Sequence, residues 1–200
     1  IAQFAEIRWW QQYLKKKSVE DYNAYKVAYW QGFLKKISPD FAVRPEEKVL
    51  DAGCGPAGIF IALPDAQVTA IDPLLGQYEE KLPHFSMGNH PKTSFIPQGL
   101  EDFKSEEKYD HAFCLNCINH VAKLDLALDN LVEATQQGGT IYLSIDAHNH
   151  GFLKWLFRAV PLDILYPHQY DLAEYQAMLT SRGCVIEQSI QYTKGNIFDY

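Results

Sequence analysis

Two carboxylates, Asp51 and Asp72, stand twenty-one residues apart, each at the end of a short apolar run, with three glycines between them. The first run is Val49-Leu50, which leads through Gly53-Cys54-Gly55-Pro56-Ala57-Gly58 into Ile59-Phe60-Ile61-Ala62-Leu63; the second is Val68-Thr69-Ala70-Ile71. Apolar runs of this length predict buried parallel strands. Glycines at the turn let backbone adopt unusual angles or lie close to a ligand. Strand, glycine turn, short helix, strand and terminal acid make a nucleotide-binding half-fold, in which the acid accepts hydrogen bonds from ribose hydroxyls.

The glycine run also satisfies G-x-G-x-x-G, a dinucleotide pattern that is weak by itself. Asp51 separates the readings. A pyrophosphate over this loop needs uncompensated backbone N–H groups, and a fixed carboxylate two residues before Gly53 opposes its charge. The same carboxylate suits a ligand that carries an ammonium and a sulfonium. The stretch resembles motif I of the class I S-adenosylmethionine-dependent methyltransferases, commonly D-x-G-C-G-x-G, but with Ala57 where the third glycine usually sits and Gly58 just after it.

The resemblance covers residues from about 46 to 191. It implies S-adenosylmethionine as cofactor, S-adenosylhomocysteine as product, and no metal. It places Asp51, Gly53, Cys54, Gly55, Asp72 and Pro73 at the cofactor. After the third strand the family often has an acidic residue near adenine; Gly99-Leu100-Glu101 looks one residue short of the usual run, so Leu100 or Glu101 takes that position. Asn116-Cys117-Ile118-Asn119-His120-Val121 resembles the family's segment after the fourth strand, often closed by His-Val, which sets Leu115 and Asn116 beside the cofactor. Helices before motif I often form a lid in this family, and Arg8 and Lys26 are the cations available there for a cofactor carboxylate.

The elements that must position these groups follow from periodicity. Phe4, Ile7, Trp10 and Leu14 recur at helical spacing, and Ser18-Val19-Glu20-Asp21 starts a second helix through Tyr22, Tyr25, Trp30 and Phe33. Pro73 opens a helix to about Leu82, and residues 93–97, 109–115, 140–145 and 185–191 read as further strands. A helix from Lys123 to Gln137 is ended by Gly138-Gly139, and another begins at Asp171. Gly195-Asn196 reads as a hairpin turn before Ile197–Tyr200, a strand cut short. Strands alternating with helices imply parallel βαβ units. The expected fold is α/β: a doubly wound, mostly parallel, Rossmann-like sheet of seven strands, with a helical cap over residues 1–38 and a methyltransferase domain over 39–200.

Composition bounds the rest. Two hundred residues, 47% of them hydrophobic, suit one domain with a substantial core, which leaves little room for the substrate domain of a dehydrogenase. The net charge of −7 disfavours a nucleic-acid partner. Lys15-Lys16-Lys17 and Lys35-Lys36 close helices, where cations complement the dipole. Cys54, Cys114, Cys117 and Cys184 form no disulfide framework and no zinc pattern, which points to the cytoplasm. No apolar run is long enough to span a membrane, and the expected assembly is a monomer or homodimer.

Methyl transfer from a sulfonium needs collinear reactants in a dry pocket. A base is required only when the nucleophile carries a proton. His120, His148 and His150 lie in segments expected at the carboxyl edge of the sheet and are the candidate bases. Tyr13, Trp30, Trp155, Tyr166 and Tyr170 are the candidate walls of an acceptor pocket. Without an N/D-P-P-Y/F pattern or a Pro-Cys context, the expected acceptor is a small molecule, methylated at oxygen or nitrogen. The alternatives are a nucleotide-binding oxidoreductase and a cofactor-binding protein without turnover.

Overall fold

A computed structural model describes residues 2–145, 147–148, 170–191 and 198–199 of the chain. Two helices come first, α1 (Ala2–Leu14) and α2 (Val19–Ile37). Ser18 caps α2: its hydroxyl accepts from the Asp21 amide at 3.1 Å, and Lys35 and Lys36 lie in its last turn.

Five strands form the main sheet: β1 (Lys48–Ala52), β2 (Gln67–Ile71), β3 (Thr93–Ile96), β4 (Tyr109–Cys114) and β5 (Thr135–Leu143). Their order is β3-β2-β1-β4-β5 and every pairing is parallel. The order reverses beside β1, so the switch point lies between β1 and β4, where open α/β sheets take ligands at the strands' carboxyl ends. The registers Ala52↔Ile71, Ile71↔Ile96 and Cys114↔Leu143 bring those ends to one edge.

Alternation along the strands splits the core in two. Val49 and Phe113 pack with α1, α2 and α3 (Leu75–Lys81) in one cluster. Leu50, Ala112 and Cys114 pack on the other face with α4 (Leu124–Ala134) and α5 (Leu172–Thr180). Arg182 ties those two helices together through Asp125 and Asp129.

Three expectations need correction. Gly138-Gly139 is not a turn ahead of β5 but a bulge within it. The register jumps from Tyr109↔Thr135 to His111↔Thr140, Gly138 has φ +82°, and a Cβ on Gly139 would lie 2.9 Å from the Asp110 carbonyl. Residues 185–191 form no strand; Val185 is 83% exposed and meets no partner among the described residues. The tail does not extend the main sheet either. Phe198–Asp199 pairs antiparallel with Ala147–His148 in a separate ribbon, so the main sheet has five strands among the described residues rather than seven.

Candidate functional site

The loop after β1 is stitched to the end of β2 by hydrogen bonds. The Gly53 and Cys54 amides both donate to the Ile71 carbonyl, at 2.8 and 3.0 Å, and the Gly55 amide donates to Asp72 Oδ2 at 3.0 Å. The other Asp72 oxygen accepts from the Leu74 amide at 2.8 Å. Asp72 thus links the glycine turn to the start of α3, directly after Pro73. Gly53 and Gly55 have φ of +69° and +56°, and a Cβ on Gly53 would run into the Cys117 side chain.

Asp51 turns under this loop. Its Oδ2 accepts from the Phe60 amide at 3.1 Å, in the short 3-10 turn Ile59–Ala62. A Cβ on residue 58 would collide with that carboxylate and with the Cys54 carbonyl, which explains why a glycine sits at position 58. Trp30 of α2 locks the loop from outside, its indole N–H donating to the Ala57 carbonyl at 2.8 Å.

Both acids are buried, and burial pushes each carboxyl from its ordinary value of 3.8 up to about 7. Amides from Phe60, and from Leu74 and Gly55, act in the opposite sense. Asp72 raises Asp51 further and Glu6 raises Asp72, while Lys26 lowers Asp51. Burial pulls the Lys26 ammonium down to about 8, with Asp51 holding it up, and its Nζ lies 4.8 Å from the Trp30 ring centre and 5.0 Å from that of Tyr29. The Cys54 and Cys117 thiols are pushed up, Cys54 by burial and Cys117 first by its hydrogen bond with Cys114. Both are therefore poor nucleophiles.

The remaining edge residues fall into place around β3 and β4. Leu100 is buried, and its carbonyl and that of Glu101 accept from Asn130 Nδ2 at 2.9 and 2.8 Å. The Glu101 carboxylate reaches across to the Ala122 amide at 2.6 Å, with Gly99 close beside its other oxygen. Leu115 is buried; Asn116 is exposed, has φ +53°, and its amide donates to Ser144 Oγ at 2.9 Å. His120 is exposed in the turn that follows, its amide donating to the Cys117 carbonyl.

The expected acceptor walls do not come together among the described residues. Trp30 is 4% exposed and braces the loop rather than facing an open pocket. Tyr13 lies on the α1–α2 side, stacked on Trp9 at 4.9 Å, whereas Tyr170 packs against Tyr175 on the opposite face of the sheet. His148 lies in the two-stranded ribbon of Ala147–His148 and Phe198–Asp199, paired with Phe198. His150, Trp155 and Tyr166 lie outside the described residues. The exposed Phe4 and Trp9 of α1 do not share one face either, lying about 140° apart around the helix axis.

Sequence reasoning missed two residues. Tyr78 of α3, fully buried, donates its hydroxyl to Glu6 of α1 at 2.9 Å, beside Asp72. A buried tyrosine one turn and a half beyond Asp72 was a signal that its hydroxyl needs a partner. That the partner lies seventy-two residues away in sequence was not readable.

Parallel order, glycine turn and paired edge acids define a class I S-adenosylmethionine-dependent methyltransferase. The chain belongs to the methyltransferase domain family, which matches residues 22–189. It is 29% identical over 181 residues to the ubiquinone biosynthesis O-methyltransferase of Rickettsia canadensis, covering 83% of this chain and 72% of that protein. For the same enzyme of Rickettsia prowazekii the identity is 28%, covering 68% of this chain and 53% of the relative. Among solved structures, the magnesium protoporphyrin IX methyltransferase of Synechocystis with bound S-adenosylhomocysteine superposes with a TM-score of 0.54 at 22% identity, covering 90% and 78% of the two chains. A methyltransferase-fold protein of Bacillus halodurans gives 0.61 at 16% identity over 78% and 68%. Membership of that family removes the oxidoreductase alternative. Among the described residues no helix is long and apolar enough to cross a membrane and no cluster of metal-ligating side chains occurs.

Proposed function

We propose that the chain methylates a hydroxyl oxygen on an apolar small molecule, with the donor seated at the carboxyl edge between β1 and β4. The observation that carries the seat is the Asp72 carboxylate, which accepts from Gly55 and Leu74 and so fixes loop, strand and acid as one unit. Each carboxylate oxygen keeps a second lone pair, available to ribose hydroxyls. Gly53, Cys54 and Gly55 supply the close backbone, and Pro73 sets the entry to α3. Leu100 and the Gly99-Glu101 backbone flank adenine, with Leu115 and Asn116 along the donor.

Asp51 acts through shape and charge. It braces the loop at Phe60 and, with Lys26 nearby, sets the field where the donor's ammonium and sulfonium come to rest. The bound sulfonium supplies an activated methyl group: the acceptor oxygen bonds to the methyl carbon as the carbon–sulfur bond breaks, leaving neutral S-adenosylhomocysteine. The hydroxyl proton goes to a base or to water, and His120, exposed after β4, is the described candidate, with His148 and His150 on the segment after β5. Support for oxygen as the nucleophile comes from the O-methyltransferases that the chain resembles. The free cysteines Cys54, Cys114, Cys117 and Cys184 fit a reducing cytoplasm.

A test is S-adenosylhomocysteine formation from S-adenosylmethionine with a panel of catechol, phenol, amine and carboxylate acceptors. Turnover with the hydroxyl acceptors, reduced in His120→Ala, supports the reading; turnover confined to amines would move the chemistry to nitrogen.

A further inference from the structure

The loop at residues 99–101 is held from inside by one side chain of α4. Asn130 is 2% exposed and stands on a buried helix face otherwise made of leucines and alanines. Its Nδ2 donates to the Leu100 carbonyl at 2.9 Å and to the Glu101 carbonyl at 2.8 Å. Its Oδ1 is buried and meets no partner among the described residues. Turning the amide over would set Oδ1 against two carbonyl oxygens, so the pairing fixes its orientation. Asparagine is a poor helix former, and a buried acceptor without a partner costs stability. What the chain gains in return is a fixed loop. Residues 97–108, between β3 and β4, form no helix or strand, and the ties Lys104–Glu133 and Glu101–Ala122 are exposed.

Those two bonds decide which groups of the loop face outward. In a trans peptide the carbonyl and the N–H point in opposite directions. With the Leu100 carbonyl turned to Asn130, the Glu101 amide of the same peptide points away from α4. The Asp102 amide is taken by the Gly99 carbonyl at 3.1 Å, and the Glu101 carboxylate by the Ala122 amide at 2.6 Å. The Glu101 amide has no acceptor among the described residues. We propose that Asn130 is a positioning residue for base recognition: by fixing the peptide between Leu100 and Glu101 it aims the Glu101 amide at N1 of the cofactor's adenine, without touching the base itself. Adenine N1 accepts a hydrogen bond, whereas N1 of hypoxanthine carries a proton and cannot.

The inference rests on the adenine flank proposed above for residues 99–101. Calorimetry with S-adenosylhomocysteine and S-inosylhomocysteine, which differ only in the base, separates positioning from simple bracing. The wild-type chain should bind the adenosyl ligand at least about tenfold more tightly than the inosyl one. Asn130→Leu, which fills the space, and Asn130→Ala, which opens it, are made separately so that one misfolded variant does not decide the matter. Each should shrink that preference about three- to tenfold through weaker adenosyl binding, with inosyl affinity within about twofold of wild type. A preference unchanged in a folded variant, whatever its melting temperature, makes Asn130 a structural residue only and overturns the proposal while leaving the adenine seat intact. A wild type that binds both ligands equally, or neither, overturns the seat and the proposal together.

Discussion

Acids at the two ends of β1 are treated in opposite ways. At the amino end Glu47 accepts from the Arg44 guanidinium and backbone amide, at 2.8 and 2.7 Å, and faces His111 at 3.4 Å. Those bonds hold its carboxyl well down, to about 2 from an ordinary 4.5. At the carboxyl end Asp51 and Asp72 are buried with backbone amides as their main partners and rise to about 7. One end is complete in itself; the other holds more latent negative charge than the chain neutralises. An acid that the fold keeps out of water without a dedicated cation marks the place where a ligand supplies donors or positive charge.

The largest effect expected from this contrast is at Asp72. Hydrogen bonds to a charged acceptor are worth about 1.5–3 kcal/mol each, so Asp72→Ala should weaken S-adenosylhomocysteine at least about tenfold in calorimetry. The fold should survive, because the Gly53 and Cys54 amides remain bound to Ile71. Unchanged affinity would place the ribose elsewhere.

Asp51→Asn comes next, with two linked readouts. An amide oxygen still accepts from Phe60 but carries no charge, so affinity for S-adenosylmethionine should fall several-fold. A carboxyl raised in the folded state holds more protons there than when unfolded, so stability declines as pH rises from about 4 through about 7. Asp72 contributes in the same direction. The ligand-free wild type should therefore melt progressively lower over that window, and Asp51→Asn should melt higher than wild type at about pH 8 while matching it only below about pH 4. A variant that melts lower throughout, with normal affinity, would make Asp51 a structural brace only.

The smallest effect belongs to the other end. Glu47→Gln should cost about 1 kcal/mol of stability or less, since its partner Arg44 is exposed. It should leave cofactor affinity untouched. Its depressed carboxyl stabilises the fold above about 4.5 and loses that contribution as pH falls through about 2, opposite in sign to Asp51. Affinity that moved with Glu47 would erase the contrast between the two ends.

Sequence reached far into the carboxyl end and little into its surroundings. Val49-Leu50, the glycine run and Ile71-Asp72 carry strand, turn and acid within twenty-four residues, so local chemistry alone fixed β1, β2 and the loop. The displaced third glycine was visible as a departure; its cause, the Asp51 carboxylate lying against Gly58, needed three dimensions. Gly138-Gly139 misled because a glycine pair serves equally as a helix stop or a bulge, and only the pairing of β5 with β4 decides. Residues 185–191 hold the β-branched Val185, Ile186 and Ile190, yet strand-forming side chains supply no partner. Trp30 reads as a pocket wall because an aromatic on a helix face has the same pattern whether it lines a pocket or donates to Ala57. The Glu6–Tyr78 contact joins elements far apart in sequence, where no periodicity reports it.

The claim that Asp51 and Asp72 wait for a ligand's donors and charge is tested most directly by proton release. Calorimetric titration with S-adenosylmethionine near pH 7, repeated in buffers of different ionisation enthalpy, counts the protons exchanged on binding. Carboxyls that titrate near 7 in the free chain and are held ionised in the complex should release up to about one proton, and affinity should tighten as pH rises from about 6 to about 8. Binding with no proton released and a pH-independent affinity over that range would contradict the account.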